Sequence, residues 1–202
     1  MIEIYHVPGT RSVRVIWLCE ELGVRYEKID VDFSPEFRTS AEWRALNPVG
    51  KIPVMRDGDM TIFESGAMVE YILDKYGKGR LRPAPGTSES GIYMQWCWFA
   101  EATFARPLGE MVNHRRVFPQ DEQVPAVVEE MADRARLCIA ALDQALQSQA
   151  YLCGRDFTAA DIMTGYSLML ARRFDLMDEK YPNVLAYWHR LSARPAFEKA
   201  TA

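Results

Sequence analysis

The most informative part of the chain is Asn47-Pro48-Val49-Gly50-Lys51-Ile52-Pro53-Val54, and Glu64-Ser65 follows it at the start of an apolar helical run. An X–Pro bond is the one place where a cis peptide is cheap, at about 0.5–1 kcal/mol. A cis Ile52–Pro53 bond would turn the Ile52 N–H and C=O outward, where they can pair with a ligand backbone as a strand edge does. The unpaired N–H groups of a helix that begins at Ser65 would attract a carboxylate. The stretch therefore predicts a site for an extended, anionic peptide.

The composition is that of a globular chain. It has 202 residues, 49% of them hydrophobic, which suffices for one large domain or two small ones. No apolar run approaches the roughly 18–20 residues that span a bilayer, and no basic region precedes an apolar one at the N-terminus. We therefore expect a cytoplasmic protein that does not enter the membrane. The net charge of −4 gives no reason to expect nucleic-acid binding.

The residues that bind metals in other proteins are scattered. The four cysteines form no CxxC pair, and we expect them to be buried thiols. His6, His114 and His189 lie far apart, without carboxylates at ligand spacing. We expect no metal site.

The first 78 residues alternate between strand and helix patterns. Residues 2–7 alternate like a strand, helical spacing follows as far as Gly23, and residues 26–31 predict a second strand. Residues 35–46 are expected to be irregular or weakly helical. A hairpin is expected at residues 53–63 with its turn at Asp57-Gly58, followed by a helix from Ser65 to Tyr76. The order β-α-β-α-β-β-α predicts a small α/β domain.

From about residue 78 the pattern changes. Residues 79–87 are rich in Pro, Gly and Arg, which is typical of an ordered surface linker. Thr158 and Asp161 have the spacing of a capping box, which is a folding signal. Helical periodicity covers residues 88–116, 123–148, 158–173 and 183–193, with Pro125, Pro182 and Pro195 near helix starts. We expect an α/β domain at residues 1–78, a linker at 79–87 and an all-helical domain at 88–202.

Together these signals resemble a cytosolic-type glutathione S-transferase of the bacterial and fungal hydroxyl type. The resemblance covers essentially the whole chain, since the Asn47–Val54 stretch, Glu64-Ser65, the linker with its helical second half, and the capping box occur in order. It implies a thioredoxin-like N-terminal domain, an all-α C-terminal domain and a homodimer. It implies an enzyme of detoxification that uses glutathione as co-substrate and conjugates it to a small hydrophobic electrophile.

The resemblance also implies which residues hold glutathione. Ile52 matches the residue before the cis proline, Pro53, whose backbone pairs with the cysteinyl unit. Glu64 and Ser65 match the pair that holds the γ-glutamyl end, Ser65 taking the carboxylate and Glu64 the ammonium. Lys51 matches a position that supports the peptide by side chain or charge. Ser65 as an ordinary helix cap is the alternative reading.

Catalysis requires the thiol of glutathione as thiolate. A thiol pKa near 8.5 must fall by about two units, which needs roughly 2.7 kcal/mol. A helix N-terminus supplies about 0.3–1 kcal/mol and one charge-assisted hydrogen bond about 1.5–3, so no dedicated base is needed. By the resemblance, the turn Gly9-Thr10-Arg11-Ser12 supplies these parts. Thr10 has the usual hydroxyl position, Ser12 is its rival, and Arg11 is a cationic helper.

Several alternatives remain open. Thr10 and Ser12 could serve only as helix caps, and a tyrosine-type role for Tyr5 or a cysteine-type reaction fits the turn less well. Phe104 and Arg106 are candidates for the second-substrate pocket, although most aromatic residues at helical spacing are core. The same pocket could serve a glutathione-dependent peroxidase, isomerase or dehalogenase, or a non-catalytic glutathione-binding protein. The physiological electrophile is not defined by the sequence.

Overall fold

The alternating residues at the N-terminus form strand β1 (Ile2–His6), which lies inside a four-stranded sheet of order β2-β1-β3-β4. It pairs in parallel with β2 (Tyr26–Asp30) and antiparallel with β3 (Val54–Asp57). β3 pairs antiparallel with β4 (Met60–Phe63), so the predicted hairpin is confirmed, with Asp57 as the last residue of β3. The computed structural model describes all 202 residues.

Four helices accompany the sheet in the first 81 residues. They are α1 (Ser12–Leu22), α2 (Pro35–Thr39), α3 (Ala41–Leu46) and α4 (Ser65–Tyr76). α1 ends at Gly23, which takes the left-handed conformation expected of it (φ 67°). Residues 35–46, expected to be at most weakly helical, form the two short helices because the Ser34 and Ser40 hydroxyls cap them, each accepting a backbone N–H at 3.2 Å.

The end of the chain packs on helix α1. Helix α10 (Pro195–Thr201) contacts α1, and the Phe197 ring lies edge-on to Trp17 at 4.8 Å between centroids. Arg194 donates to both carboxylate oxygens of Glu21 at 2.6 and 2.7 Å. Unit 1 of the structure is therefore Met1–Leu81 with Ala193–Ala202, whereas the sequence-based division placed these last residues in the helical domain.

A hydrophobic cluster lies against the face of the sheet from which Tyr5 projects. Trp43, Ile52 and Val54 are buried, and Tyr5 and Val7 pack against them. Tyr5 meets Trp43 edge-on at 5.6 Å between ring centroids. Since β1 alternates, its other face turns Ile2, Ile4 and His6 into the protein.

Unit 2, Arg82–Ser192, is helical and has one isolated β-bridge between Tyr151 and Gly154. The predicted boundaries at residues 78 and 87 stay predictions. The elements are α5 (Ser88–Trp98), a π-helical segment (Phe99–Phe104), α6 (Ala105–Val117), a 3-10 turn (Gln120–Glu122), α7 (Pro125–Ala145), α8 (Ala159–Arg173) and α9 (Pro182–Ser192). Helix α8 is buried from Ala159 to Ala171 and contacts α5, α6 and α9.

Asp161 organises the start of α8. Its carboxylate accepts the Thr158 N–H at 2.8 Å, the Leu152 N–H at 3.0 Å and the Tyr187 hydroxyl at 2.6 Å. Burial raises the pKa of Asp161 above its usual value, although these hydrogen bonds act to lower it. The predicted capping box is thus part of a buried network that ties α9 to the start of α8.

The two units confirm the predicted fold class, a thioredoxin-like α/β part and an all-α part. No helix of the chain is both long enough and apolar enough to cross a membrane.

Asp57 joins the hairpin to α4. It accepts hydrogen bonds from Tyr76 at 2.6 Å, Lys75 at 2.7 Å and Tyr71 at 2.9 Å. Burial alone would raise the pKa of Asp57, but the three donors outweigh burial and lower it to about 2. Because the folded pKa lies below the unfolded value, ionised Asp57 stabilises the folded protein. This stabilisation is present above about pH 4 and is lost as the pH falls towards 2.

Asp57→Asn is expected to lower the free energy of unfolding by about 1–2 kcal/mol at pH 7, after allowance for solvent screening. The difference from the parent should shrink as the pH falls from about 4 towards 2, because protonation removes the same charge. Urea unfolding at several pH values measures it. Asp59→Asn, at an exposed position of the same turn, should stay within about 0.5 kcal/mol of the parent at every pH. A constant deficit for Asp57→Asn would contradict the charge-based explanation.

Candidate functional site

The turn after β1 places two hydroxyl groups side by side. Gly9 takes a left-handed conformation (φ 75°), which reverses the chain before α1. The Thr10 and Ser12 oxygens lie 2.8 Å apart, and the Thr10 hydroxyl donates to the Val7 carbonyl at 2.8 Å. The Ser12 oxygen lies 3.4 Å from the same carbonyl. The turn therefore holds both side chains in one hydrogen-bonded group.

The two hydroxyls differ in burial. Ser12 is fully buried, whereas Thr10 is half-buried. Behind Ser12 lies His6, whose Nδ1 is 2.8 Å from the Ser12 oxygen. Burial lowers the pKa of His6, Lys28 lowers it further, and Asp30 acts in the opposite direction. Burial therefore favours the neutral imidazole.

Neither hydroxyl caps α1. Arg11 occupies the N-cap position, and no side chain accepts a hydrogen bond from the first turn. Thr10 and Ser12 are therefore not side-chain caps of α1. The positive end of the α1 dipole opens onto the same turn.

The Asn47 side chain holds the loop before Pro53, a role that the sequence analysis did not predict. Asn47, which is buried, accepts the Val49 N–H at 3.0 Å and donates to the Lys51 carbonyl at 2.8 Å. Gly50 needs its left-handed conformation (φ 67°), and a Cβ there would lie 2.6 Å from the Arg38 carbonyl oxygen. Lys51 itself is exposed.

The Ile52–Pro53 bond is cis, as predicted. The Ile52 side chain is buried beside Val54, and Val7 packs against the same cluster. No hydrogen bond within the chain involves the Ile52 N–H or C=O. The residue therefore offers an unpaired backbone edge close to the hydroxyl turn.

The start of α4 has an unusual backbone. Glu64 is exposed and has φ 77°, a left-handed value that costs a residue with a side chain about 1–3 kcal/mol. It is the N-cap residue but makes no side-chain cap, and Ser65 is the first helical residue. Helix α4 thus begins with N–H groups that no capping side chain occupies.

Ser65 is tied to α1 from behind. It is buried, and its oxygen accepts from a guanidinium nitrogen of the buried Arg14 at 3.2 Å. A positive charge thus lies behind the N-terminus of α4. The sequence analysis did not assign Arg14 to the site, since a buried arginine leaves no signal in composition or spacing.

The structure therefore brings one set of predicted residues together within unit 1. Thr10, Ser12 and Ile52 are linked through Val7, and Ser65 is joined to α1 by Arg14. Tyr5 packs on Trp43 instead of joining the hydroxyl turn.

The predicted second-substrate residues belong to unit 2. Phe104 is fully buried, with its ring 6.2 Å from that of Phe99, while Arg106 is exposed on α6. Arg106 lines a groove of about 630 Å³ between α6 and α7. His114 accepts the Val124 N–H at 2.9 Å, which gives it a structural role. The assignment of Phe104 and Arg106 to a substrate pocket stays a prediction. No group of three or more His, Cys, Asp or Glu side chains could hold a metal ion.

Both parts of the chain match family models. Residues 2–74 match the model described as "Glutathione S-transferase, N-terminal domain", and residues 106–195 match "Glutathione S-transferase, C-terminal domain".

Curated relatives and solved structures agree with these matches. The chain is 30% identical to the "Probable glutathione S-transferase GSTF1" of Oryza sativa subsp. japonica, over 96% of this chain and 92% of that protein. It is 30% identical to "Glutathione S-transferase 3" of Schizosaccharomyces pombe, over 97% and 85%. The glutathione transferase URE2P6 of Phanerochaete chrysosporium, solved with oxidized glutathione, superposes with a TM-score of 0.88 at 29% identity, covering 98% of this chain and 94% of that one. A theta class enzyme from Xanthomonas axonopodis pv. citri with glutathione bound gives 0.85 at 28% identity, covering 99% and 96%.

Glu64→Gly is expected to be about 1 kcal/mol more stable than Glu64→Ala, because glycine alone adopts the left-handed conformation without strain. Both variants lose the same carboxylate, so the comparison isolates the backbone. Thermal or urea unfolding measures the difference. Ala67→Gly, at an exposed site in the same first turn, should instead lose about 1 kcal/mol. Equal losses for Glu64→Gly and Ala67→Gly would mean that Glu64 carries no strain.

Proposed function

Since this chain belongs to the glutathione S-transferase family, we propose that its hydroxyl turn stabilises the thiolate of glutathione while the start of α4 holds the γ-glutamyl end. The chain is a glutathione transferase, with glutathione as co-substrate. The observation that carries the proposal is the pair of neighbouring hydroxyls at the end of β1, one half-buried and one fully buried.

The γ-glutamyl carboxylate is assigned to the N-terminus of α4. The Ser65 hydroxyl and the open N–H groups can donate to it, and Arg14 adds positive charge from behind. Glu64 is exposed at the same point, where its carboxylate would receive the γ-glutamyl ammonium. The strained backbone of Glu64 supports this assignment, because such conformations persist where the surroundings impose them and cluster at ligand sites.

The cysteinyl unit is assigned to the backbone of Ile52. Its N–H and C=O have no partner in the chain, so an extended peptide can pair with both. Pro53 and the buried Asn47 hold this edge in place, and Lys51 lies exposed beside it. With the γ-glutamyl end at α4 and the backbone at Ile52, the thiol faces the turn after β1.

Thr10 rather than Ser12 is the donor to sulfur in this proposal. Ser12 is fully buried and already bonded on the side of His6, so a ligand cannot approach its hydroxyl without displacing Thr10. Thr10 is half-buried and can turn its proton from the Val7 carbonyl towards the sulfur. Together with the α1 dipole, one such bond supplies roughly the 2.7 kcal/mol that a two-unit shift of the thiol pKa requires. Arg11, at the N-cap of α1, adds positive charge at the same turn.

The proposal extends to the partners of the enzyme. The second substrate is a small hydrophobic electrophile, the place of action is the cytoplasm, and the active form is a homodimer. Exposed apolar side chains on unit 2 support the dimer, since Trp98 is 68% and Leu137 72% exposed. Met94 lies one turn before Trp98 on α5 and is also exposed.

Thr10→Val removes the hydroxyl at nearly constant shape. We expect the thiol pKa of bound glutathione to rise by about one to two units, because a charge-assisted hydrogen bond is worth about 1.5–3 kcal/mol. Ser12→Ala should raise it less, and Thr10→Ser should leave it close to the parent value. The ultraviolet absorbance of the thiolate, followed against pH at saturating glutathione, measures each pKa.

Two outcomes of this series would count against the assignment. A larger effect of Ser12→Ala than of Thr10→Val would transfer the donor role to Ser12. No shift in either variant would rule out activation by a hydroxyl.

The homodimer predicts a mass of about twice 23.1 kDa by light scattering at micromolar concentration. Trp98→Arg should shift the population towards the monomer, since it places a charge where an apolar ring is expected to be covered. Trp98→Phe keeps the apolar contact and serves as the control. A parent protein that is monomeric under these conditions would contradict the proposal.

A further inference from the structure

The hydrogen bonds behind Thr10 form a chain whose direction can be worked out. Three contacts of 2.8 Å lie in series, from the Val7 carbonyl to Thr10 Oγ1, from Thr10 Oγ1 to Ser12 Oγ, and from Ser12 Oγ to His6 Nδ1. His6 and Ser12 are fully buried, so no bulk water can substitute for a missing donor. Each contact therefore needs one proton from within the group.

Ser12 Oγ also lies 3.4 Å from the Val7 carbonyl, which is too long to compete with the three contacts of 2.8 Å. Counting protons over those three contacts leaves a single arrangement. The Val7 carbonyl has no proton to give, so the Thr10 hydroxyl donates to it. The contact between Thr10 and Ser12 must then use the Ser12 proton. Because both hydroxyl protons are now used, the third contact requires a proton on His6 Nδ1.

The other ring nitrogen supports the same tautomer. His6 Nε2 is buried and has no hydrogen-bond partner. A proton on Nε2 would be an unsatisfied buried donor, and Nδ1 would then be an acceptor that competes for the Ser12 proton. Burial is the main cause that lowers the pKa of His6. The charges of Lys28 and Asp30, both on β2, change this pKa in opposite directions, so burial favours the neutral ring.

We propose that His6 is a positioning residue that sets the direction of the hydroxyl chain, donating from Nδ1 to Ser12 so that Ser12 donates to Thr10 and the Thr10 proton points outward. This inference rests on the proposed function, in which Thr10 donates to the thiolate. When glutathione binds, the Thr10 proton moves from the Val7 carbonyl to the sulfur, while Thr10 Oγ1 continues to accept from Ser12. Donors in series polarise one another, so the chain strengthens the bond to sulfur.

The opposite tautomer would reverse the chain. With a bare Nδ1, Ser12 would donate to His6 and Thr10 would have to donate to Ser12. The Thr10 proton could then reach the sulfur only by breaking the bond to Ser12, which would leave the buried Ser12 oxygen without a donor. The tautomer of one buried imidazole thus decides whether the turn can donate to a thiolate without losing a bond of its own.

The tautomer is tested directly by nitrogen NMR of protein labelled with ¹⁵N-histidine. We expect His6 to show a protonated Nδ1 and an unprotonated Nε2 at neutral pH, with its signals assigned by their loss in His6→Asn. His114, whose Nε2 accepts the Val124 N–H, gives an internal reference for a bare Nε2, and the exposed His189 gives one for a solvated ring. A protonated Nε2 on His6 would overturn the proposal.

The functional consequence is tested with two variants of His6. His6→Leu removes the donor, and we expect the thiol pKa of bound glutathione to rise by about half to one unit. His6→Asn can place an amide N–H near the position of Nδ1 and should bring the pKa back towards that of the parent. A purely structural role would not distinguish the two variants by thiol pKa, and His189→Leu should change nothing.

The double variant Thr10→Val/His6→Leu separates this inference from the proposed function. If both hold, His6→Leu adds little once Thr10 has lost its hydroxyl. If Thr10→Val raises the thiol pKa while His6→Leu and His6→Asn both leave it unchanged, the role of His6 is wrong and that of Thr10 stands. If neither residue moves the pKa although His6 carries its proton on Nδ1, the proposed function fails instead.

Discussion

The hydrogen bond between the Thr10 and Ser12 hydroxyls is the interaction on which the candidate site depends. A hydroxyl buried as fully as that of Ser12 needs hydrogen-bond partners, because an unsatisfied buried polar group costs about 1–3 kcal/mol. Its two partners at 2.8 Å are His6 and Thr10. The requirement to satisfy a buried polar group thereby fixes the position of the half-buried hydroxyl beside it.

The sheet brings the other parts of the site to the same place. β1 and β3 are neighbours, so the turn after β1 lies near the Ile52–Pro53 bond that precedes β3. Helix α1 leaves that turn and places Arg14 against Ser65 at the start of α4. Two helix N-termini and one unpaired strand edge thus converge without any charged side chain acting as a base. This supports a site that binds an anionic peptide and favours its thiolate by dipoles and hydroxyls.

Much of this arrangement is visible in the sequence because it follows from local rules. Alternation predicts β1, the Ile-Pro pair predicts the cis bond, and Gly23 predicts the end of α1. What the sequence did not show depends on tertiary partners. His6 and Arg14 are polar residues whose burial becomes visible only when their partners are in place. Likewise, α10 belongs to unit 1 because of Phe197 and Arg194 contacts that no local pattern encodes.

A crystal structure of the enzyme with reduced glutathione would show which hydroxyl contacts the sulfur. We predict the sulfur within about 3.5 Å of Thr10 Oγ1, with Ser12 Oγ still bonded to Thr10 and to His6. We also predict the γ-glutamyl carboxylate at the Ser65 N–H and the cysteinyl backbone paired with Ile52. A sulfur that contacts Ser12, or lies away from the turn after β1 altogether, would contradict the account.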